Sequence, residues 1–319
     1  MNACNTSNAH DKQHAHDKRK EAFMSANTTI GFIGLGKMGA GFTTRLLDSG
    51  YGVVGYDIDD ACCQAAKARG VEIAASPAKV AERADIIQVC VISTAAVEAV
   101  ILGEGGIVEV DQGDGKTVVD HSTTELDTTK RLAETLAQRN GMQFVDAPVS
   151  GGPGAAAEGR LAIMAGGKQA AIDTIQPLMA TLGQFTRMGE VGAGQATKLI
   201  NQALVLSNYC VIAEACNLGN RFGIDVSKIP EALSSGYAGS NLLNDLLPRM
   251  VEGDFEPRGY ARQILKDLHM LQDAANGLNV AMPMAGTANA LYSLLIAQGK
   301  GELDGAAIVS LLEGSNPEH

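Results

Sequence analysis

The sequence has no tryptophan, and seven Phe and six Tyr bring aromatics to only 4% of its 319 residues. Single-stranded nucleic acids stack on aromatic platforms, so that function lacks its material. Basic residues are also short: 25 Lys and Arg face 36 Asp and Glu, for a net charge of −11. That balance repels phosphate backbones and anionic lipid, and neither nucleic acid nor membrane is expected as a partner. Beyond His10, His14, His16 and the terminal His319, only His121 and His269 remain. His-based triads and His-rich zinc sites have almost nothing to draw on, and no metal is expected. The six cysteines, Cys4, Cys62, Cys63, Cys90, Cys210 and Cys216, include no C-x-x-C pair. Several lie in apolar stretches, the usage of reduced thiols in a cytoplasmic protein. The first 27 residues hold no apolar h-region, and no uninterrupted apolar run reaches about 18 residues, so neither export signal nor membrane anchor is expected.

What is present fits a globular α/β protein of about two domains: 45% hydrophobic residues, and 37 glycines against nine prolines. Residues 1–27 are polar. Their three histidines, with Asp11 and Asp17, invite a metal reading, but a tail would lose ordering entropy on binding an ion, and disorder is expected there. From Thr28 short apolar strands alternate with helical spacing. Strands are predicted at Ile30–Ile33, Val53–Asp57, Ile86–Val91, Thr117–Asp120, Gln143–Asp146 and Leu161–Ala165, with a helix over Met38–Asp48. The alternation predicts a doubly wound, mostly parallel sheet over residues 28–191. After about Gly194 strand signals stop. Gln195–Arg221 reads as one helix apolar nearly all round, about 40 Å long. Further helices are predicted around Lys228–Ser234, Asn241–Met250, Gln263–Asn276, Met284–Ala297 and Gly305–Leu312. Residues 192–319 thus form an all-helical domain, and its apolar helix calls for a partner subunit, a homodimer or homotetramer.

Three stretches carry chemistry. Gly34-Leu35-Gly36-Lys37-Met38-Gly39 matches G-x-G-x-x-G between a predicted strand and helix, and Asp57 follows at the end of the next strand. In that context the glycines permit a tight turn, close approach of a pyrophosphate and close helix packing, with helix-start N–H groups facing the phosphates. The Asp57 carboxylate can accept from a ribose 2′-OH and would repel a 2′-phosphate, and no Lys or Arg in Ile58-Asp59-Asp60 offsets it. NAD is favoured, with NADP open. The second stretch, Asp146 to Ala155, is glycine-rich and reads as a ligand loop rather than a helix. Successive N–H groups of Ser150, Gly151 and Gly152 could cradle a small carboxylate, or the segment could be a plain crossover. The third is Gly192-Ala193-Gly194-Gln195-Ala196-Thr197-Lys198, opening the apolar helix, with Asn201 and Gln202 on the same face as Lys198. Burial beside a cofactor would suit that lysine for proton transfer, whereas a solvated lysine would do no chemistry.

Together these stretches resemble the β-hydroxyacid dehydrogenase family from about Thr28 to Gly314. The family-like motifs stand here as GFIGLGKMG (31–39), DHSTTE (120–125), FVDAPVSGGPGAAAEGRLAIMAGG (144–167), GAGQATKLINQ (192–202) and KDLHMLQDA (266–274). The resemblance implies hydride transfer between NAD(P) and a small β-hydroxy acid, with Lys198 as acid/base and Asn201 and Gln202 at the substrate. It further implies that Ser150, Gly151 and Gly152 hold the substrate carboxylate. Ser122 and Thr123 look like substrate or cofactor contacts, Val91 and Ala96 line the cofactor cleft, and Lys266 reaches the nicotinamide end. His121 reads as a variable position. Two departures stand out: Gln202 replaces the family's second Asn, and Gly259 stands where members often carry Phe. A reductase of the same type working toward the alcohol, as on tartronate semialdehyde, fits the same motifs. Similar imine reductases usually lack the lysine, and a 6-phosphogluconate-type enzyme needs a larger helical domain. A non-catalytic dinucleotide-binding module could dispense with Lys198 altogether.

Overall fold

The computed structural model describes residues 28–312. The expected tail, with its three histidines and Cys4, lies outside them. Two compact units part between Ala196 and Thr197.

The first unit is built on a nine-stranded sheet: β1 Thr29–Ile33, β2 Gly52–Tyr56, β3 Glu72–Ile73, β4 Ile86–Val89, β5 Thr117–Asp120, β6 Gln143–Asp146, β7 Val149–Ser150, β8 Leu161–Gly166 and β9 Gly183–Gly189. The order runs β3-β2-β1-β4-β5-β6-β8-β7, with β9 beside β8. The first six strands are parallel, and β8 runs antiparallel to β6 and β7. Alternate residues feed two cores: Ile30, Phe32, Ile86, Val119 and Val145 enter one, Ile33, Ile87, Val118 and Phe144 the other. A sheet buried on both faces needs helices on both, which is the doubly wound architecture.

Two expectations in this unit need correction, and three strands were not foreseen. The glycine-rich segment does not stay a loop: Val149–Ser150 forms a short strand and Gly152–Glu158 a helix. Gly151 and Gly152 take left-handed backbone (φ +132° and +73°), and Pro153 and the alanines behind it then favour helix. The β4 strand ends at Val89, so Val91 lies past its end. Finally, β3, β7 and β9 carry no strong signal; two are two-residue strands, and β9 alternates exposure along the weakly apolar GQFTRMG.

The long helix spans Ala193–Phe222, 30 residues or about 45 Å. Among the described helices it alone is long and apolar enough to cross a membrane by length and composition. The core of the second unit accounts for part of that apolarity: Leu206, Cys210, Ala213 and Cys216 pack with Leu246, Leu247, Leu268, Tyr292 and Leu295. Shorter helices follow at Asn241–Glu252, Ala261–Gly277 and Pro283–Ala297. The regions predicted as helices at 228–234 and 305–312 each divide into a 3-10 turn and a short α-helix. Arg249 is buried and bonds Asp304 at 3.1 Å, Asp254 at 3.1 Å and the Glu256 carbonyl at 2.8 Å. The five described cysteines are free thiols.

Candidate active site

In the first unit, β1 delivers the glycine turn to the carboxyl edge of the sheet. Gly34 (φ +97°) donates to the Tyr56 carbonyl at 2.9 Å, and a Cβ there would lie 2.1 Å from the Cys90 carbonyl oxygen. At Gly39 a Cβ would lie 1.9 Å from the Gly34 oxygen. Both must be glycine for the turn to lie against its helix, Lys37–Asp48. Gly36 differs: nothing lies within 4 Å of its would-be Cβ. That bare face sits at the uncapped start of the helix, where no side chain bonds the first N–H groups. The geometry suits a pyrophosphate, and a side chain at 36 would fill the cradle. Lys37 is exposed and Met38 half-buried at the same turn.

Asp57 follows β2. Its Oδ2 accepts from Leu35 N–H (2.6 Å) and its Oδ1 from Asp59 N–H (2.9 Å), so the carboxylate is held against the turn. The neighbouring strand ends supply Ile58 and Ile92, exposed apolar side chains of the kind an adenine face covers; sequence reasoning passed over both. Their signal was an apolar residue two or three positions past the end of a strand flanking β1.

A hydrogen-bonded chain crosses the carboxyl edge. Val91 N–H donates to Ser122 Oγ (2.9 Å), and Ser122 N–H to Asp120 Oδ1 (2.9 Å). Thr124 Oγ1 donates to Asp120 Oδ2 (2.8 Å). Gln195, 1% exposed, accepts from Thr124 N–H (3.1 Å) and donates to the Ser122 carbonyl (2.8 Å). Asp146 then takes Gly192 N–H (2.8 Å) and Gln195 N–H (2.8 Å). Val91, Ser122 and Thr123 thus belong to one braced edge, with Ala96 nearby in the helix Thr94–Leu102. Burial pushes the Asp146 carboxyl up to about 7, against the two N–H bonds.

His121 is not a loose position. It stacks on Phe42 (4.7 Å between ring centres), with Nδ1 2.7 Å from the Ala147 carbonyl and Nε2 2.9 Å from the Gln88 side-chain amide. Burial holds its pKa down at about 4. The neutral ring has a single N–H, so Nδ1 donates to Ala147 and the Gln88 amide must present its NH2 to Nε2. The opposite amide orientation leaves Gln88 Nε2 buried without a partner. Ala147 leads into β7, which ends on the half-buried Ser150, and on to the exposed Gly151.

In the second unit Lys198 is 9% exposed on the long helix. Asn201 Nδ2 donates to Gln202 Oε1 (2.9 Å), and Gln202 Nε2 to Asp267 Oδ2 (2.5 Å). The Lys266 ammonium lies 2.9 Å from Asp267 Oδ1, an ion pair without hydrogen-bond geometry. Asn201, Gln202 and Lys266 are therefore joined through Asp267, which sequence reasoning missed although it stands in the KDLHMLQDA motif. A Cβ at Gly259 meets nothing within 4 Å. Among the described residues no group of His, Cys, Asp or Glu could hold a metal ion.

A glycine turn of the dinucleotide-binding kind with a carboxylate fastened beside it, and a helical unit with a buried lysine, fit a dinucleotide-dependent oxidoreductase. The family model for the NAD-binding domain of 6-phosphogluconate dehydrogenase matches residues 29–193. The model described as NAD-binding of NADP-dependent 3-hydroxyisobutyrate dehydrogenase matches residues 192–312. The mitochondrial 3-hydroxyisobutyrate dehydrogenase of Mus musculus is 32% identical, covering 92% of this chain and 90% of its own. The 2-(hydroxymethyl)glutarate dehydrogenase of Eubacterium barkeri is 32% identical over 91% and 96%. The crystal structure of a 3-hydroxyisobutyrate dehydrogenase from Salmonella typhimurium superposes with a TM-score of 0.81 at 28% identity, over 89% and 99%. The chain belongs to the β-hydroxyacid dehydrogenase family, NAD(P)-dependent enzymes acting on CH–OH donors.

Proposed function

We propose that this enzyme oxidises a small β-hydroxy acid, preferring NAD, with Lys198 as the acid/base. The observation that carries the reading is the burial of Lys198 on a helix face where Asn201 and Gln202 are interlocked with each other and with Asp267. When bound, NAD supplies the hydride acceptor. Lys198, as the amine, takes the hydroxyl proton during oxidation and returns it in the reverse direction, toward the alcohol. Backbone N–H groups of Ser150, Gly151 and Gly152 bind the substrate carboxylate, and Ser122 and Asn201 orient the carbinol. Positioning of this kind supplies much of the rate. Thr123, Val91, Ala96 and Lys266 serve the cofactor. The Asp57 carboxylate, fastened beside the turn, favours a free 2′-OH over a 2′-phosphate.

A panel of serine, 3-hydroxyisobutyrate, 3-hydroxypropionate and glycerate, run with NAD and with NADP and followed by nicotinamide absorbance, tests this. Turnover of a panel member with NAD preferred is expected; no turnover of any member would refute the dehydrogenase reading for small hydroxy acids.

We also propose that a second copy of the chain covers the long helix. Ile200, Leu204, Val211, Leu218 and Phe222 are exposed at spacings that place them on one side. Val211→Asp should lower the sedimenting mass; an unchanged mass, or a monomeric parent, would count against it.

A further inference from the structure

The hydrogen bonds at the start of the long helix do more than end it neatly. Asp146, on β6, accepts with one carboxylate oxygen from Gly192 N–H, just before the helix, and with the other from Gln195 N–H in its first turn, acting as a cap borrowed from the sheet. Two glycines are shaped around it. A Cβ at Gly166 would lie 2.5 Å from Asp146 Oδ1, and one at Gly194 would lie 2.4 Å from its carbonyl oxygen and 2.8 Å from Oδ2. The same first turn carries Gln195, whose side chain fastens it to Ser122 and Thr124. Lys198 follows Gln195 by three residues on the same helix face.

We propose that Asp146 and Gln195 are positioning residues, which fix the first turn of the lysine-bearing helix to the Ser122–Thr124 loop so that the lysine meets the reacting hydroxyl in register. The proposal rests on the reading of Lys198 as acid/base. Neither residue touches substrate in this account; both act through the helix. A buried carboxylate is a costly way to cap a helix, since burial disfavours its charge, and a neutral cap would serve a purely structural purpose.

The test is a double-mutant cycle in the full-length chain with NAD and 3-hydroxyisobutyrate, or whichever panel member the parent turns over fastest, as the probe pair. Asp146→Asn keeps the shape but sets an NH2 against one of the two N–H groups. Gln195→Met keeps the volume and loses both bonds to the loop, which guards against a misfolded Asp146 variant. Each should lower kcat about 10- to 100-fold, the penalty for misplacing a reacting group by up to about 1 Å. KM and the Kd for NADH, read by fluorescence, should stay within about threefold. Hydrogen exchange at the Gly192 and Gln195 amides should quicken in Asp146→Asn. In a Lys198→Ala background the same substitutions should cost less than about threefold, because their effect runs through the lysine. An undiminished loss in that background, or wild-type kcat in both single variants, overturns the proposal. A Lys198→Ala enzyme with near-normal kcat instead overturns the lysine reading, and a parent that turns over no member of the hydroxy acid panel removes both.

Discussion

His121 sets up a test whose size follows from its surroundings. The ring is fully enclosed by Phe42, Gln88 and the Ala147 carbonyl, and burial lowers its pKa from 6.5 to about 4. A histidine whose folded pKa is depressed contributes stability that is present above its unfolded value and lost as pH falls toward the folded one. The window is therefore about pH 6.5 down to about pH 4. Two and a half units at about 1.4 kcal/mol each come to about 3 kcal/mol, a large share of a typical domain's stability. Gln at this position can still donate and accept but does not titrate. Urea unfolding of the parent and His121→Gln, followed by far-ultraviolet circular dichroism from pH 7 to pH 4, isolates the term. Asp146 is retained in both proteins, so its opposite trend, toward lower stability as pH rises toward 7, cancels in the difference. The parent should lose about 3 kcal/mol more than the variant across that range. Parallel profiles would mean that the ring is not held neutral by burial, and the assignment of its hydrogen bonds would fall with it.

Two further outcomes follow from the same geometry. Asp57→Asn keeps an acceptor for Leu35 N–H but removes the charge; two unit charges about 4 Å apart interact by about 1–4 kcal/mol between bulk water and a protein surface. The NAD over NADP ratio of kcat/KM should fall at least about 5-fold, and an unchanged ratio would free Asp57 from cofactor choice. Arg249→Met leaves Asp304 buried without its guanidinium partner and should cost about 3–5 kcal/mol in urea unfolding, with much of the loss recovered when Asp304 is also replaced by Leu.

The glycine turn was legible because its constraints are local. A chain that turns from β1 into a helix within a few residues needs Gly34 and Gly39 wherever it occurs, and Asp57 follows one strand later. The parallel strands and the helical second half were legible from periodicity for the same reason. The helix at Gly152–Glu158 was not, because glycines that look like loop material here make the turn that precedes it. Nor did β9 announce itself, since its support comes from β8 rather than from its own apolarity. The bracing of the candidate site lies furthest out of reach. Asp146 meets Gln195 49 positions away, Gln195 meets Thr124 across 71, and Gln202 meets Asp267 across 65. Motif reading supplied the residues at the ends of these bonds but none of the pairings. His121 shows the limit most plainly: its motif gave no sign that the ring is buried on Phe42 and bonded to Ala147 and Gln88.

The account turns on one amine as the carrier of the hydroxyl proton. Lys198→Ala, assayed on the best substrate of the panel with NADH affinity measured on the same preparation, tests it most directly. General acid–base loss predicts a kcat lower by about 100- to 10,000-fold with NADH Kd within about threefold. A kcat near that of the parent would contradict the account.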